Sequence, residues 1–354
     1  MAEKRRRWLL RGAQAALAIA ILYFVYQSVS AQLATSRFLE LLFSPAYLAV
    51  SWIVIAAYYL LFAGGFMLVI RSLGYRVSYR DVFKLSFAAN LGKYLPGGVW
   101  QVAGKVAMAK QAGVERHGAL VATVVESAIS VTAGLLVFMS TTLLGAPFPP
   151  SVPKWPLLAI MAAILVALHP AIFSRVVGLG MRLLKIDGDP PHLRLGSIAA
   201  LVAYYSAIWF VAGGAFWLFT RSLVADPGAG WAAYAGYYAA AVVGGLLVLF
   251  APAGLGVRES FLVLLLGGLL SGGPASAWVV VLAARVWSSA AELVLSAVAV
   301  ARPFSRPGEP TSPADLAHAE ADVTQPEGDA VSEPAGTSLG TEGDDGRAMT
   351  DESA

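Results

Sequence analysis

Apolar runs, most of them long enough to cross a bilayer, succeed one another from residue 12 to residue 301, and no single soluble core could bury them all. They fall at 12–29, 46–70, 118–144, 155–173, 196–220, 231–250, 257–270 and 275–301. Hydrophobic residues make up 58% of the chain and charged residues 13%, whereas a soluble domain carries about a quarter charged residues. One stretch interrupts the pattern. Asn90–Lys105 holds the only asparagine of the sequence, two lysines and a Pro-Gly-Gly break, which is too polar and too broken for an ordinary spanning helix. Broken backbone at membrane depth survives only where protein or a water-filled cavity covers its freed amides and carbonyls.

Charge sets the expected orientation. Residues 1–302 hold 23 Lys/Arg against 10 Asp/Glu, and the remainder holds 2 against 12. The basic residues cluster in short segments between apolar runs, which argues against a nucleic-acid partner. Lys4, Arg5, Arg6, Arg7 and Arg11 precede the first run, which reads as an uncleaved span with its N-terminus in the cytoplasm. Arg71, Arg76, Arg80 and Lys84 follow the second run, Arg175–Arg194 follows the run ending at Phe173, and Arg302 and Arg306 follow the last. All three basic groups then fall on the cytoplasmic side. The positive ends around Phe83–Gly113 make that segment a hairpin that enters from the cytoplasm and returns there. A weaker break, Ala251–Glu259, gives a second hairpin entered from the opposite side. The expected fold is therefore an all-α polytopic membrane protein of about six full spans and two re-entrant hairpins. Residues 1–302 form the membrane domain. The tail 303–354 is acidic, and Glu309–Ala354 is too poor in apolar residues to order itself, so a disordered cytoplasmic segment is expected.

The halves share a pattern. Each has a Pro-x-Gly break (Pro96-Gly97-Gly98; Pro252-Ala253-Gly254) and then a run with a glutamate in it. Thr123, Glu126, Ser127, Ser130 and Gly134 share one helical face, and so do Arg285, Ser288, Ser289, Glu292 and Ser296. Opposite entry would relate the halves by inversion, a recurrent transporter design.

Seven charges fall at membrane depth: Lys93, Lys105, Glu126, Arg258, Glu259, Arg285 and Glu292. Each costs roughly 2.5–3.5 kcal/mol at the centre of a span unless it faces a cavity or a partner. They read either as structural counter-ions or as a binding site. Proline favours a helix start, so new half-helices are expected after Pro96 and Pro252, each pointing unpaired amides and a partial positive charge inward. Such ends hold anions, and Lys93, Lys105 and Arg258 add full charge. The alternative is a proline kink with glycine packing. Asn90, Tyr94, Trp100, Gln101 and Gly256 complete the candidate set, the aromatics suiting a sugar or an amphipathic head group. Zero cysteines, four histidines without metal-ligand spacing and no nucleotide-phosphate loop leave no visible metal, cofactor or ATP site.

Asn90…Lys93-Tyr94-Leu95-Pro96-Gly97-Gly98-Val99-Trp100-Gln101…Gly104-Lys105, with Pro252-x-Gly254-x-Gly256-x-Arg258-Glu259 downstream, resembles the lysylphosphatidylglycerol synthase transmembrane-region family over residues 8–302. The resemblance implies a flippase-like domain with re-entrant helices that moves lipids or lipid-linked head groups between leaflets of the plasma (inner) membrane. This chain departs from many members by having Ser127 after the membrane glutamate and Trp100 in place of a third glycine. It has the look of stand-alone members rather than of synthase fusions. The expectation is a non-enzymatic lipid flippase whose partner is a membrane lipid or lipid-linked saccharide. The rivals are an ion-coupled transporter of a small anion and a scaffold for a membrane glycosyltransferase or synthase.

Overall fold

A computed structural model of the chain describes residues 44–94, 100–148, 153–183, 186–247 and 256–304. The first apolar run and Glu309–Ala354 lie outside the described residues. Within them the chain is all-helical: α1 (Pro45–Ser72), α2 (Tyr79–Asn90), α3 (Trp100–Ala109), α4 (Arg116–Leu143), α5 (Trp155–Ala167), α6 (Pro170–Leu183), α7 (Leu195–Leu223), α8 (Trp231–Leu247), α9 (Val257–Leu266) and α10 (Gly273–Ala301). Four of these, α1, α4, α7 and α10, are long and apolar enough to cross a membrane. The protein is a multi-pass membrane protein.

The four long helices begin and end within three residues of the expected spans. The run 155–173 differs. It divides into α5 and α6, which meet at 94°. Pro170 explains the break: its ring removes an amide that the preceding turn would need, and His169 N–H closes that turn on Val166 O instead. Beyond the bend the pattern also changes, because α6 buries Phe173, Ser174, Val177, Gly178 and Met181 on one face while Arg175 and Arg182 stay exposed. By contrast α5 buries no residue at all.

The core is a packed group of α1, α4, α7 and α8, with α7 against α1, α4 and α8. Small residues let these helices approach closely, as packing without a hydrophobic drive between helices requires. A Cβ on Gly213 of α7 would fall 2.1 Å from the Ala235 Cα of α8, and one on Gly65 of α1 would fall 2.6 Å from the Tyr205 ring of α7. Gly134 of α4 seats Trp209, whose indole N–H donates to Ser130 O at 3.0 Å. α1 and α7 run antiparallel, since Ser44 N–H donates to Ser222 O and the Tyr204 hydroxyl donates to Leu61 O.

Around this core lie the short helices. Ser78 caps α2 by accepting from the Asp81 amide, and its hydroxyl donates to the Asp81 carboxylate at 2.7 Å. α2 then packs on α3 and α10. Gly104 of α3 sits against Ala89 of α2, which holds the two arms together. The turn after α3 closes with Gly113 at φ +74°, a conformation that needs glycine. α9 packs between α8 and α10, and it starts at Gly256, whose φ of +84° is again open to glycine.

Candidate functional site

Two ion pairs join a short helix to the long helix that follows it. On α3, Lys105 Nζ donates to Glu126 Oε2 of α4 at 2.8 Å, with both side chains buried. The same ammonium sits 3.9 Å over the ring of Phe66 from α1. On α9, Glu259 Oε1 lies 3.6 Å from Arg285 Nη1 of α10. Its other oxygen accepts the Gly256 amide at 2.7 Å, so one carboxylate caps its own helix and faces a guanidinium on the next. The signs are reversed between the two pairs.

Beside them is a cluster of tyrosines. Arg258 lies with its guanidinium 4.6 Å from the centre of the Tyr238 ring. Tyr58 of α1 is within electrostatic reach of Arg258, Glu292 and Glu126 together. Tyr59 is within reach of Glu292 and Arg258, and its hydroxyl donates to Ser288 O of α10 at 3.1 Å. The buried Tyr205 hydroxyl faces Glu126, short of ordinary hydrogen-bond geometry. Seven helices thus contribute to one buried polar region: α1, α3, α4, α7, α8, α9 and α10. Tyr238, Arg258, Glu259 and Arg285 also line a void of about 10 Å³, which is the size of a single water.

The structure brings together Lys105 with Glu126, Glu259 with Arg285, and Arg258 and Glu292 with the tyrosines. Glu292 and Ser296 are buried on α10, as their shared face implies, whereas Ser127 on α4 is exposed and its hydroxyl donates to Thr123 O. Asn90 at the end of α2 and Gln101 on α3 hold each other, the Gln101 amide donating to the Asn90 carbonyl oxygen. That bond ties the end of α2 to the start of α3. Trp100 opens α3 and is 48% exposed. Lys93 and Tyr94 stand in a 3₁₀ turn, Leu91–Tyr94, that continues α2, and their side chains lie outside the described residues. Pro96, Gly97, Gly98, Pro252 and Gly254 also lie outside them.

The sequence reading missed Tyr58, Tyr59, Tyr205 and Tyr238. A signal was there. Tyr58-Tyr59, Tyr204-Tyr205 and Tyr237-Tyr238 are three tyrosine pairs inside otherwise apolar runs. A buried phenol needs a partner for its hydroxyl, so three such pairs in three helices mark a polar interior.

The sequence model described as the lysylphosphatidylglycerol synthase TM region matches residues 13–295. No curated protein was found that matches the chain. A match over most of the length, on a chain whose long helices are apolar and whose charges gather inside, shows that the protein belongs to the lysylphosphatidylglycerol synthase transmembrane-region family.

Proposed function

We propose that the protein moves the anionic head group of a phospholipid, or of a lipid-linked saccharide, between leaflets of the plasma membrane, and that Arg258 and Arg285 hold its phosphate. The observation that carries this reading is the placing of two arginines, Arg258 and Arg285, around one small void inside the polar region. Lys105 is held by Glu126 at 2.8 Å, Arg258 lies on the face of Tyr238, and Arg285 meets Glu259 at 3.6 Å while that carboxylate also caps its helix. Arginine presents a planar fork that matches phosphate. An arriving phosphate takes over Glu259's place on Arg285, and Glu259 keeps its bond to the Gly256 amide. The tyrosine hydroxyls then serve as hydrogen-bonding partners for a head group or its waters. At about 10 Å³ the void corresponds to a closed state, and α9 must move relative to α8 and α10 to admit cargo.

Re-entrant hairpins fit this reading. α2, α3 and α9 have 12, 10 and 10 residues, so they reach only ~15–18 Å of a hydrocarbon core of about 30 Å. With six full spans, and the basic groups Arg71–Arg80 and Arg175–Arg194 inside, both termini are cytoplasmic. The halves, each a short helix ion-paired to the long one after it, would form the inverted repeat. In this proposal the chain transports and does not synthesise, and a membrane synthase or glycosyltransferase supplies or receives its cargo.

The test is reconstitution into vesicles containing head-group-labelled phosphatidylglycerol, with impermeant quenching of the outer leaflet. The expected result is faster loss of the inner-leaflet label than in protein-free vesicles. Uptake of a soluble anion with no lipid exchange would identify a small-anion transporter instead. Dependence of function on residues 309–354, with no exchange in vesicles, would identify a scaffold.

A further inference from the structure

The second region of interest lies away from the tyrosine cluster, at the elbow where α5 turns into α6. A cavity of about 710 Å³ opens there between α6 and the segment 186–193, a size in the range of ligand pockets. Arg175 and Arg182 line it from α6, and His169 and His192 line it from the two ends. The segment is strapped onto the helix: Ser174 Oγ donates to Pro191 O, Ile186 N–H donates to Met181 O, and Pro190 packs on Gly178. Residues alternate along it. Ile186, Gly188, Pro190 and His192 line the cavity, while the carboxylates Asp187 and Asp189 do not. The lining is therefore basic and supplies only nitrogen-based charged or titratable groups. Glu115, at the nearby start of α4, is exposed and does not line it either.

The surroundings say what kind of anion fits. α5 buries none of its residues, and Leu158, Ile160, Leu165 and Val166 are about half exposed or more. On α6 the exposed Val176, Leu179 and Leu183 alternate with exposed Arg175 and Arg182. A helix that is apolar all round, bent at 94° into an amphipathic basic one, has the form of a bilayer-embedded segment joined to one lying in the interface. The cavity sits at that junction, and an interfacial α6 would put it at the depth of lipid phosphates.

From this we infer that the α5–α6 elbow is a second lipid site, which takes the phosphate of an anionic glycerophospholipid between Arg175 and Arg182 with the acyl chains along α5. It stands whether or not the tyrosine cluster translocates anything. The site holds a lipid at the surface, where charge and apolar wall are both present. A soluble phosphate would use only the first of these.

The experiment uses the full chain in phosphatidylcholine vesicles doped with a photoactivatable phosphatidylglycerol that carries a diazirine near the glycerol. Labelled peptides are mapped by mass spectrometry, which separates this site from the central cluster. The expected result is labelling of the peptides that contain α5 and α6. Arg175→Gln with Arg182→Gln lowers it roughly tenfold for each charged hydrogen bond removed, and the lysine versions restore part of it. Arg80→Gln, an exposed arginine elsewhere, leaves it unchanged. Both target arginines are exposed, so the variants keep the fold, which gel filtration verifies. Undiminished labelling in the glutamine variant overturns the inference. So does equal labelling by the phosphatidylcholine analogue, equal loss in Arg80→Gln, or displacement of the label by inorganic phosphate.

Discussion

The Lys105–Glu126 pair and the Glu259–Arg285 pair do the same topological job with different chemistry. Each ties a short helix to the long one after it. The first is closed: 2.8 Å, both side chains about 6% exposed, and the ammonium covered by Phe66. The second is open: 3.6 Å, Arg285 at 21% exposure, and Glu259 divided between a guanidinium and a backbone amide. A buried pair with good geometry is costly to break because either survivor is left charged in a dry place. A longer pair whose carboxylate keeps a second bond loses less when it is broken, because the surviving charge is not left alone. The difference teaches that the α3–α4 pair is the tighter clamp, and under the proposed function the α9–α10 pair is where a phosphate would compete.

Breaking the clamp should have the largest effect. Lys105→Met leaves Glu126 buried without its partner and should cost ~3–5 kcal/mol, read from the unfolding midpoint in detergent. The double variant Lys105→Met, Glu126→Leu should recover most of that loss, because the stranded charge is gone. A double variant no more stable than the single would mean the pair does more than hold two helices. Next comes Gly65→Ala, which presses a methyl against the fully buried Tyr205 ring beside Glu126 and should cost about 1–3 kcal/mol in the same assay.

The second half should tolerate more. Arg285→Gln should cost less than Lys105→Met, about 1–3 kcal/mol, because Glu259 keeps its bond to the Gly256 amide, yet slow leaflet exchange of phosphatidylglycerol. Equal damage to stability in Lys105→Met and Arg285→Gln would erase the contrast between the pairs. The smallest effect is expected for Gly244→Ala. Its Cβ would meet only the edge of the Phe261 ring at 3.1 Å, and a helical preference of about 1 kcal/mol for alanine offsets the ring's shift.

The sequence already contained the long helices and the charges, because apolar length and isolated charge are local signals. α1, α4, α7 and α10 fall where hydropathy alone places them. The pairing of the charges was not legible. Lys93, Lys105, Arg258 and Arg285 look alike in a list, and only packing reveals that Lys105 is enclosed by Glu126 and Phe66. Asn90 and Gln101 read as separate polar residues in the sequence, and only packing reveals their mutual bond. The bend at Pro170 was visible as a proline, but the apolar run on both sides concealed it. The tyrosine cluster needed three distant helices to be seen at once, which a linear scan of one helix face cannot do.

The most direct measurement is the rate of head-group-labelled phosphatidylglycerol exchange in vesicles holding equal amounts of wild-type protein, Arg258→Ala, and the Lys105→Met, Glu126→Leu double variant. If phosphate passes by way of Arg258, exchange should fall at least tenfold in Arg258→Ala, about the value of one charged hydrogen bond, and stay within a few-fold of wild type in the double variant. Wild-type exchange in folded Arg258→Ala, or collapse confined to the double variant, would contradict it.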